Sequence, residues 1–257
     1  MSISKLLVWS PIIVFIMYAF LPRFFIRFFR MAIFQKGEQK QKIALTFDDG
    51  PDPLYTPILL DVLKKYNVKA TFFILGSKGE KNPDLILRIH EEGHLIGIHN
   101  YVHYANCFLT PGQVKNQFNR SADIVQQITG YRPHYYSPPW GLPNFSDLFE
   151  KEKFQIVMWS IMVGDWRRKV GSEKIKNRLL HSLHDGAIIV LHDSGETFGA
   201  DEDAPTNMIS ALEEVLHEVL EKGYECVRVD ELVQMVPERG NPEFDSVGTK
   251  DCLSRYG

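Results

Sequence analysis

The chain is poor in cysteine. Its 257 residues include three cysteines, Cys107, Cys226 and Cys252, and no two of them form a CxxC pair. An odd number of cysteines without paired spacing indicates neither a disulfide framework nor a zinc site built from thiolates. Cys226 has the character of an ordinary core residue instead.

An excess of positive charge is also missing. The chain has 29 Lys and Arg against 32 Asp and Glu, a net charge of -3, so nothing in its composition suggests binding to nucleic acid. A hydrophobic content of 44% over this length is enough for one domain with a full core. We infer neither a nucleic-acid partner nor an obligate protein partner.

A run without charges lies near the amino terminus, in residues 6–21. A membrane-spanning helix needs about 20 apolar residues. The run reaches that length if it is counted from Ile3 and Lys5 extends to the interface. Because no A-x-A cleavage site follows, we predict a single-pass anchor within residues 1–34 rather than a signal peptide. Arginines among aromatics in residues 23–30 predict a segment along the bilayer surface.

Residues 35–41 form a polar linker, after which short apolar runs alternate with amphipathic stretches of helical length as far as residue 236. This alternation predicts βα units and a parallel sheet. The seven strand candidates are residues 42–47, 69–75, 94–98, 134–137, 155–160, 187–191 and 224–229. Residues 237–257 are polar and lack apolar periodicity, which predicts a loose tail.

The side chains best suited to catalysis follow the predicted strands. They are Asp48 and Asp49 after the first strand, His99 and His103 after the third, Trp140 after the fourth, Asp165 after the fifth and His192 after the sixth. An open doubly wound sheet brings only the strands near its switch point to one ligand, whereas a barrel brings every carboxyl end to one rim. We therefore predict an α/β fold, a single distorted (β/α) barrel of about seven parallel strands.

Two adjacent carboxylates end the first predicted strand. Neighbouring side chains on a strand point to opposite sides, so one of Asp48 and Asp49 can bind a metal while the other takes a proton. A turn that merely favours Asp and Gly is the alternative interpretation. Together with His99 and His103, one carboxylate completes the ligand set of an open catalytic zinc site.

An earlier pair, His90 and His94, has the same spacing as His99 and His103. We interpret this earlier pair as structural. Gly93 is expected to end a helix that contains His90, before a strand that begins at His94.

Five motifs within residues 42–236 resemble those of the polysaccharide deacetylases, the NodB homology or carbohydrate esterase 4 family. In chain order they are Thr46-Phe47-Asp48-Asp49-Gly50, His99 to His103, Ser137-Pro138-Pro139-Trp140-Gly141, Asp165-Trp166 and Leu191-His192-Asp193. Each motif alone is weak evidence, but five in the family's order, each at a strand end, are specific.

The resemblance implies a divalent metal, most often zinc, with cobalt, nickel and manganese as alternatives. Its ligands would be Asp49, His99 and His103, and Asp48 would be the general base that takes a proton from the attacking water. The backbone N–H of Trp140 would stabilise the oxyanion that forms.

The resemblance also implies which residues protonate the leaving group and which bind the acetyl group. His192, held by Asp165, would protonate the departing sugar amine. Trp166 and Leu191 would shape an apolar slot for the acetyl methyl group.

The chain departs from the family pattern at three positions. Ser137 stands where the family has an arginine that pairs with the catalytic Asp, Met162 replaces an aspartate, and Asn100 replaces a Ser or Thr in the metal motif. The loss of the arginine leaves Asp48 with a raised pKa or with a substitute partner. Candidate substitutes are Arg132, Arg167 and Arg168.

These features predict a membrane-anchored, metal-dependent hydrolase that removes the N-acetyl group of an amino sugar in a glycan or glycolipid. Two alternatives stay open: an O-acetyl esterase or deformylase on a lipid-linked sugar, and a catalytically impaired glycan-binding homologue. The flanking arginines favour a cytoplasmic catalytic domain, but family members that act on cell-wall glycans work outside. We therefore expect the catalytic domain to be extracytoplasmic.

Overall fold

The structure is a computed structural model that describes residues 9–10, 17–18, 33–149 and 154–233. The predicted surface segment and tail, and most of the predicted anchor, lie outside the described residues. Within the described ranges, no helix has the length and apolar character needed to cross a membrane.

Nine strands form one sheet in the described part of the chain, and the named strands pair in parallel throughout. They are Ile33–Phe34 (β1), Lys42–Asp48 (β2), Thr71–Ile74 (β3), Leu95–Ile98 (β4), Tyr135–Tyr136 (β5), Gln155–Val157 (β6), Ile161–Met162 (β7), Ile188–His192 (β8) and Glu225–Val227 (β9). The strand order is β1-β6-β5-β4-β3-β2-β8-β7, and β9 pairs with the first residues of β2.

Helices connect most successive strands. They are Tyr55–Lys65 (α1), Gly76–Lys81 (α2), Pro83–Glu91 (α3), Pro111–Thr129 (α4), Phe145–Phe149 (α5), Ser172–Ser182 (α6), Ala204–Glu221 (α7) and Val229–Leu232 (α8). The longest, α4, begins with a capping box in which Thr110 and Gln113 satisfy each other's backbone N–H groups. It ends at Gly130, whose φ of 76° suits a glycine C-cap.

The predicted barrel is not closed by a ladder of hydrogen bonds, since the edge strands β1 and β7 do not pair with each other among the described strands. The chain itself crosses the gap. The Met158 N–H donates to the Phe34 carbonyl in β1 over 2.7 Å, and the Ser160 N–H donates to the Ile188 carbonyl in β8 over 2.9 Å. The prediction of one strand over residues 155–160 is therefore wrong, because its two ends pair with different strands and the chain bends between them.

The segment before β2 also takes part in the sheet. Ile33–Phe34, which the sequence analysis includes in the anchor region of residues 1–34, pairs with β6. Lys36 forms an antiparallel bridge with Ala187, and the Gly37 N–H donates to the Gly186 carbonyl over 2.8 Å. This segment packs across the gap. The sequence did not predict β1, because two apolar residues are too few to show strand periodicity. The fold is a (β/α) half-barrel, and the segments that follow β1 and β6 cross its open side.

Two apolar layers explain why the sheet curls. The larger layer lies between the sheet and the helices, where residues of α1, α3, α6 and α7 pack against β2 and β8. A smaller cluster on the other face unites residues of six strands and of α8: Ala44, Phe73, Leu95, Val157, Ile188, Val227, Val229 and Leu232. Side chains from strands so far apart in the order touch only if the sheet is curved. The curvature brings the carboxyl ends of the strands to one rim.

The earlier histidine pair is structural, as predicted. Gly93 has a φ of 82° and separates α3 from β4. The His94 ring is buried, and its Nδ1 accepts a hydrogen bond from the Ala70 N–H over 3.1 Å. The His90 ring stacks on the Tyr131 ring with centroids 5.9 Å apart. Neither ring belongs to the site at the rim.

Candidate metal and catalytic site

Three residues of the site have a left-handed backbone. Asp49, Asn100 and Trp140 have φ angles of 76°, 69° and 53°, and they follow the carboxyl ends of β2, β4 and β5. Residues other than glycine adopt this region rarely, and they keep it where the surrounding structure enforces it, often at functional sites. The sharp turns they make explain how side chains from separate strands meet at the rim.

The structure brings together Asp49, His99 and His103. One ligand atom from each side chain lies within 4.8 Å of the others. The Asp49 Oδ1 atom is 3.4 Å from His99 Nε2 and 3.3 Å from His103 Nε2. This oxygen is buried and has no hydrogen-bond partner in the described part of the chain. A buried, unpartnered carboxylate oxygen that faces two imidazole nitrogens fits a divalent cation held by all three.

The protonation of the histidines also suits a metal. His99 Nδ1 lies 2.7 Å from the Ser137 carbonyl, so this nitrogen carries the hydrogen and Nε2 presents its lone pair to Asp49. Burial lowers the pKa of His99 to about 3 and also holds the pKa of His103 below its ordinary value. Both rings are therefore neutral at neutral pH, which is the state that binds metal.

Asp49 stays ionised in this environment. Burial alone would raise the pKa of its carboxyl, but the nearby rings of His99, His192 and His103 and the hydroxyl of Thr197 outweigh burial and lower the pKa below its ordinary value. Thr197 lies in the loop after β8, outside the motifs. No pattern in the sequence pointed to it.

Hydrogen bonds fix the loop between the two histidines. Gln117 of α4 accepts from the backbone N–H groups of Tyr101 and Val102 through one oxygen, over 3.0 and 2.9 Å. The Asn100 side chain donates to the Tyr104 carbonyl over 3.1 Å and to Asn106 Oδ1 over 2.8 Å. These bonds hold the turn that carries His99 and His103 in one conformation.

Asp48 receives a hydrogen bond from Ser137. The Ser137 hydroxyl donates to Asp48 Oδ2 over 3.0 Å, and both residues are buried. Burial raises the pKa of Asp48 to about 8, the charge of His192 lowers it, and neighbouring Asp49 raises it. The other oxygen, Asp48 Oδ1, is buried and has no hydrogen-bond partner among the described residues, so it is free to accept a proton.

Two of the arginines considered as substitutes pair elsewhere. Arg132 donates to Asp123 Oδ1 and to Gln126 Oε1, both over 2.7 Å. Arg168 forms an ion pair with Asp203 at 2.6 Å. Their selection from sequence was wrong, because nearness along the chain did not place either guanidinium at the rim. The third candidate, Arg167, has an exposed side chain.

His192 is held by Asp165. The carboxylate of Asp165 accepts from the His192 backbone N–H over 2.7 Å and lies 3.3 Å from His192 Nδ1. Burial would lower the pKa of His192, but the charge and hydrogen bond of Asp165 outweigh it and raise this pKa to about 10. The Trp166 ring meets the His192 ring edge to face, with centroids 5.3 Å apart.

The apolar wall differs from the prediction at one position. Leu191 is fully buried and belongs to the core layer between the sheet and the helices, with Phe47. Because successive strand residues point to opposite faces, Val190 rather than Leu191 shares a face with His192. Trp140 is 46% exposed, and its ring contacts the His103 ring with centroids 4.2 Å apart.

Asp193 supports the turn that carries Asp48 and Asp49. Its side chain is buried and accepts from the Thr56 hydroxyl over 2.5 Å. A Cβ atom added to Gly50 would lie 2.4 Å from each Asp193 carboxylate oxygen. The glycine of the first motif is therefore required by close packing against the aspartate of the last.

The comparisons with known proteins agree with this geometry. A family model described as polysaccharide deacetylase matches residues 35–157. The peptidoglycan-N-acetylglucosamine deacetylase of Bacillus cereus is 36% identical over 204 residues, which cover 78% of this chain and 71% of the relative. This chain belongs to the polysaccharide deacetylase family. The relatives named as peptidoglycan deacetylases are hydrolases that act on carbon–nitrogen bonds other than peptide bonds.

Other relatives are longer. The peptidoglycan-N-acetylglucosamine deacetylase PgdA of Listeria monocytogenes serotype 1/2a is 36% identical over 216 residues, 84% of this chain and 44% of the relative. The peptidoglycan-N-acetylmuramic acid deacetylase PdaC of Bacillus subtilis is 34% identical over 197 residues, 77% of this chain and 40% of the relative. The part of each relative that matches this polysaccharide deacetylase is therefore less than half of that relative.

Solved structures have the same fold. The Bc1960 peptidoglycan N-acetylglucosamine deacetylase, crystallised with an N-hydroxybenzamide compound, has a TM-score of 0.75 and 34% identity over 84% of this chain and 99% of that one. A family pseudoenzyme from Bacillus anthracis has a TM-score of 0.70 at 22% identity, over 78% of this chain and 68% of that one. Because a pseudoenzyme shares the fold, activity has to be argued from the site.

Proposed function

We propose that this polysaccharide deacetylase removes the N-acetyl group from N-acetylglucosamine residues of peptidoglycan. The observation that carries the proposal is the pairing of Asp48 with His192. The two residues lie in register at the ends of the neighbouring strands β2 and β8, beside Asp49 and both metal-binding histidines. The relatives named for peptidoglycan deacetylation supply the substrate class.

The metal would be held by Asp49, His99 and His103. When bound, it would supply Lewis-acid polarisation of the acetyl carbonyl. Zinc suits this set of one carboxylate and two neutral imidazoles, which leaves positions open for substrate and water.

Asp48 is the proposed general base. Its Oδ2 atom is held by Ser137, and its free Oδ1 can take a proton from the attacking water. The raised pKa of Asp48 makes its carboxylate a stronger base than an ordinary aspartate. The backbone N–H of Trp140 is proposed to stabilise the oxyanion of the tetrahedral intermediate.

His192 is the proposed general acid. Its raised pKa keeps the imidazole protonated at neutral pH, and Asp165 occupies Nδ1, so Nε2 is free to give a proton to the departing amine. Asp48 and His192 favour each other's charged forms, because the carboxylate raises the pKa of the imidazole and the imidazole lowers the pKa of the carboxyl. His192 is thus protonated at neutral pH, whereas Asp48, with a pKa of about 8, would need the positive charge of a bound divalent cation to be fully ionised there.

Product analysis on purified peptidoglycan and on chitin oligomers tests the proposed function. We expect acetate and an equal amount of new free amine, located on glucosamine by mass spectrometry of the digested glycan. Acetate without amine would identify the O-acetyl esterase, and formate the deformylase. Amine on muramic acid would move the specificity to the other sugar. Absence of any product from the metal-loaded protein would favour the impaired homologue.

We also propose that the catalytic domain acts outside the cytoplasm and is anchored through the segment that precedes β1, within residues 1–32, since peptidoglycan lies outside. Fractionation of cells, followed by protease treatment of spheroplasts, tests both statements. The proposal predicts a membrane-associated protein that external protease digests. A protected protein would place the domain in the cytoplasm, as the flanking arginines predict.

A further inference from the structure

Tyr18 belongs to the segment that precedes β1, yet its hydroxyl is bound by the catalytic domain. This hydroxyl donates to the Leu109 carbonyl over 2.8 Å, and the Asn144 side chain donates to its oxygen over 3.1 Å. Ser146 Oγ lies 2.9 Å away, and it must be the donor, because the single phenolic hydrogen is already used. The one donor and both acceptor positions of the Tyr18 hydroxyl are therefore filled.

The groups that receive Tyr18 come from two separate elements. Leu109 lies in the loop between β4 and α4, whereas Asn144 and Ser146 lie where α5 begins and are buried. The Asn144 side chain also caps α5, since its Oδ1 atom accepts from two N–H groups of the first turn over 2.8 and 3.2 Å. The Tyr18 hydroxyl thus joins this loop to this helix.

Asn144 continues the contact into a buried network of amides. Its side chain donates to the Asn106 carbonyl, and Asn106 Oδ1 accepts from the Asn100 side chain over 2.8 Å. Asn106 also donates to the Tyr136 hydroxyl over 2.8 Å and to Asp147 Oδ1 over 2.5 Å. All three asparagines are fully buried. A buried polar network whose members are paired holds them in one arrangement.

Asn100 ends this network at the turn of the metal-binding cluster. It follows His99 directly, with a φ of 69°, and its side chain donates to the carbonyl of Tyr104, the residue after His103. One side chain therefore ties the two ends of the turn that carries both proposed histidine ligands. A displacement of Asn106 would move the group to which this side chain is bound.

We propose that Tyr18 is a positioning residue for the metal site. Its hydroxyl holds the turn that presents the two histidines, and it acts through three buried asparagines, Asn100, Asn106 and Asn144. The inference rests on the metal site of the proposed function and not on the identity of the glycan. Tyr18 lies near the end of the uncharged run of residues 6–21, and tyrosines of membrane anchors favour the interface, so this contact is compatible with the proposed anchor.

Competition with a chelator, measured on the full chain, tests this inference. Tyr18→Phe removes only the hydroxyl and should weaken metal binding by roughly 2- to 30-fold, the range for residues that influence a site without contacting its ligand. The kcat at saturating metal should stay unchanged, because the described contacts of Tyr18 include no reacting group. Tyr66→Phe, which removes a hydroxyl where α1 ends, is the matched control. Equal metal affinity of the two variants would overturn the inference.

A double-mutant cycle tests the route through Asn144. Asn144→Ser keeps an oxygen that can cap α5 but lacks the amide that links Tyr18 to Asn106. Adding Tyr18→Phe to Asn144→Ser should therefore weaken metal binding much less than Tyr18→Phe does in the wild type. Fully additive losses would contradict this route.

Hydrogen exchange in the metal-free protein separates this inference from the metal site itself. The N–H groups of Tyr101 and Val102 lie within the turn and are hydrogen-bonded to Gln117. Tyr18→Phe should speed their exchange, while the amides of β2 keep their rates. If the chain binds no metal but these two amides still respond, the metal site fails and the coupling of Tyr18 to the turn stands. Unchanged exchange at both amides would refute the coupling.

Discussion

Ser137 serves two residues of the site at once. Its hydroxyl donates to Asp48 over 3.0 Å, and its backbone carbonyl lies 2.7 Å from His99 Nδ1. The side chain thus supports the proposed base, while the main chain orients His99, a proposed metal ligand. The position where the family pattern has an arginine for the catalytic aspartate therefore still supplies a hydrogen-bond donor to it.

Ser137→Ala should reduce kcat without loss of metal. The substitution removes the donor to Asp48 but keeps the carbonyl that orients His99. Hydrogen bonds to charged groups contribute about 1.5–3 kcal/mol, so we expect a loss of roughly 10- to 100-fold. Ser137→Thr, which keeps the hydroxyl, is the matched control. Ser137→Arg should bring no gain, because the position is buried and its serine already donates a hydrogen bond to Asp48. Full activity of Ser137→Ala would show that Asp48 needs no donor.

Asp165→Asn should shift the basic limb of the pH–rate profile to lower pH. Asp165 raises the pKa of His192 to about 10 against the effect of burial, so neutralising it lowers this pKa. The general acid would then lose its proton at a lower pH, and activity would fall earlier as pH rises. The profile of kcat/KM measures the shift. A basic limb that does not move would show that His192 is not the group whose titration produces that limb.

Gln117→Leu should weaken metal binding. It removes the oxygen that accepts from the backbone N–H groups of both Tyr101 and Val102, which lie between His99 and His103. Losing support behind metal ligands typically costs about 10- to 100-fold in affinity. Competition with a chelator measures it.

Two further variants control this experiment. Gln117→Glu keeps the accepting oxygens and should bind metal nearly as well as the wild type, and Gln127→Leu changes an exposed residue of the same helix. If Gln117→Leu holds metal as tightly as Gln127→Leu does, the loop does not need this side chain.

His94 should make the fold sensitive to mild acid. Burial, followed by the charge of Lys69, lowers the pKa of His94 from 6.5 to about 4. Between these values the unfolded chain binds a proton that the folded chain does not, so the free energy of unfolding falls as the pH drops through this window. The full contribution is about 3 kcal/mol at most.

His94→Asn removes this titration and keeps an acceptor for the Ala70 N–H. Denaturant unfolding at several pH values should show that the wild type loses more stability than the variant between pH 6.5 and 4. Parallel curves for the two proteins would contradict the assignment.

Much of the site could be predicted from sequence, because the reactive side chains follow apolar runs and the first and third runs are strands of the expected length. The two histidine pairs were told apart by Gly93 alone. The errors have a physical origin. Pairing across the half-barrel gap depends on contacts distant in sequence, so the bend between β6 and β7 was missed. The side toward which Leu191 points depends on strand register, which a short motif does not specify.

The support of Asp48 could not be found in this way either. The family pattern has a cationic partner for Asp48, so arginines were the candidates. The actual partner is a serine hydroxyl, which comes within hydrogen-bond distance only through the three-dimensional arrangement of the strands. Ser137 and Asp48 are 89 positions apart. Thr197 escaped notice for the same reason, since it lies in a loop without a pattern and becomes part of the site through the fold.

Metal content and turnover, measured together in the wild type, Asp48→Asn and His103→Ala, test the site most directly. We predict about one divalent ion per chain in the wild type, held by Asp49, His99 and His103. Asp48→Asn should keep the ion and lose about 10²- to 10⁴-fold in rate, because an amide cannot take the water's proton. His103→Ala should lose both the ion and the activity. Stoichiometric metal with full activity in His103→Ala, or full turnover in Asp48→Asn, would contradict this account of the site.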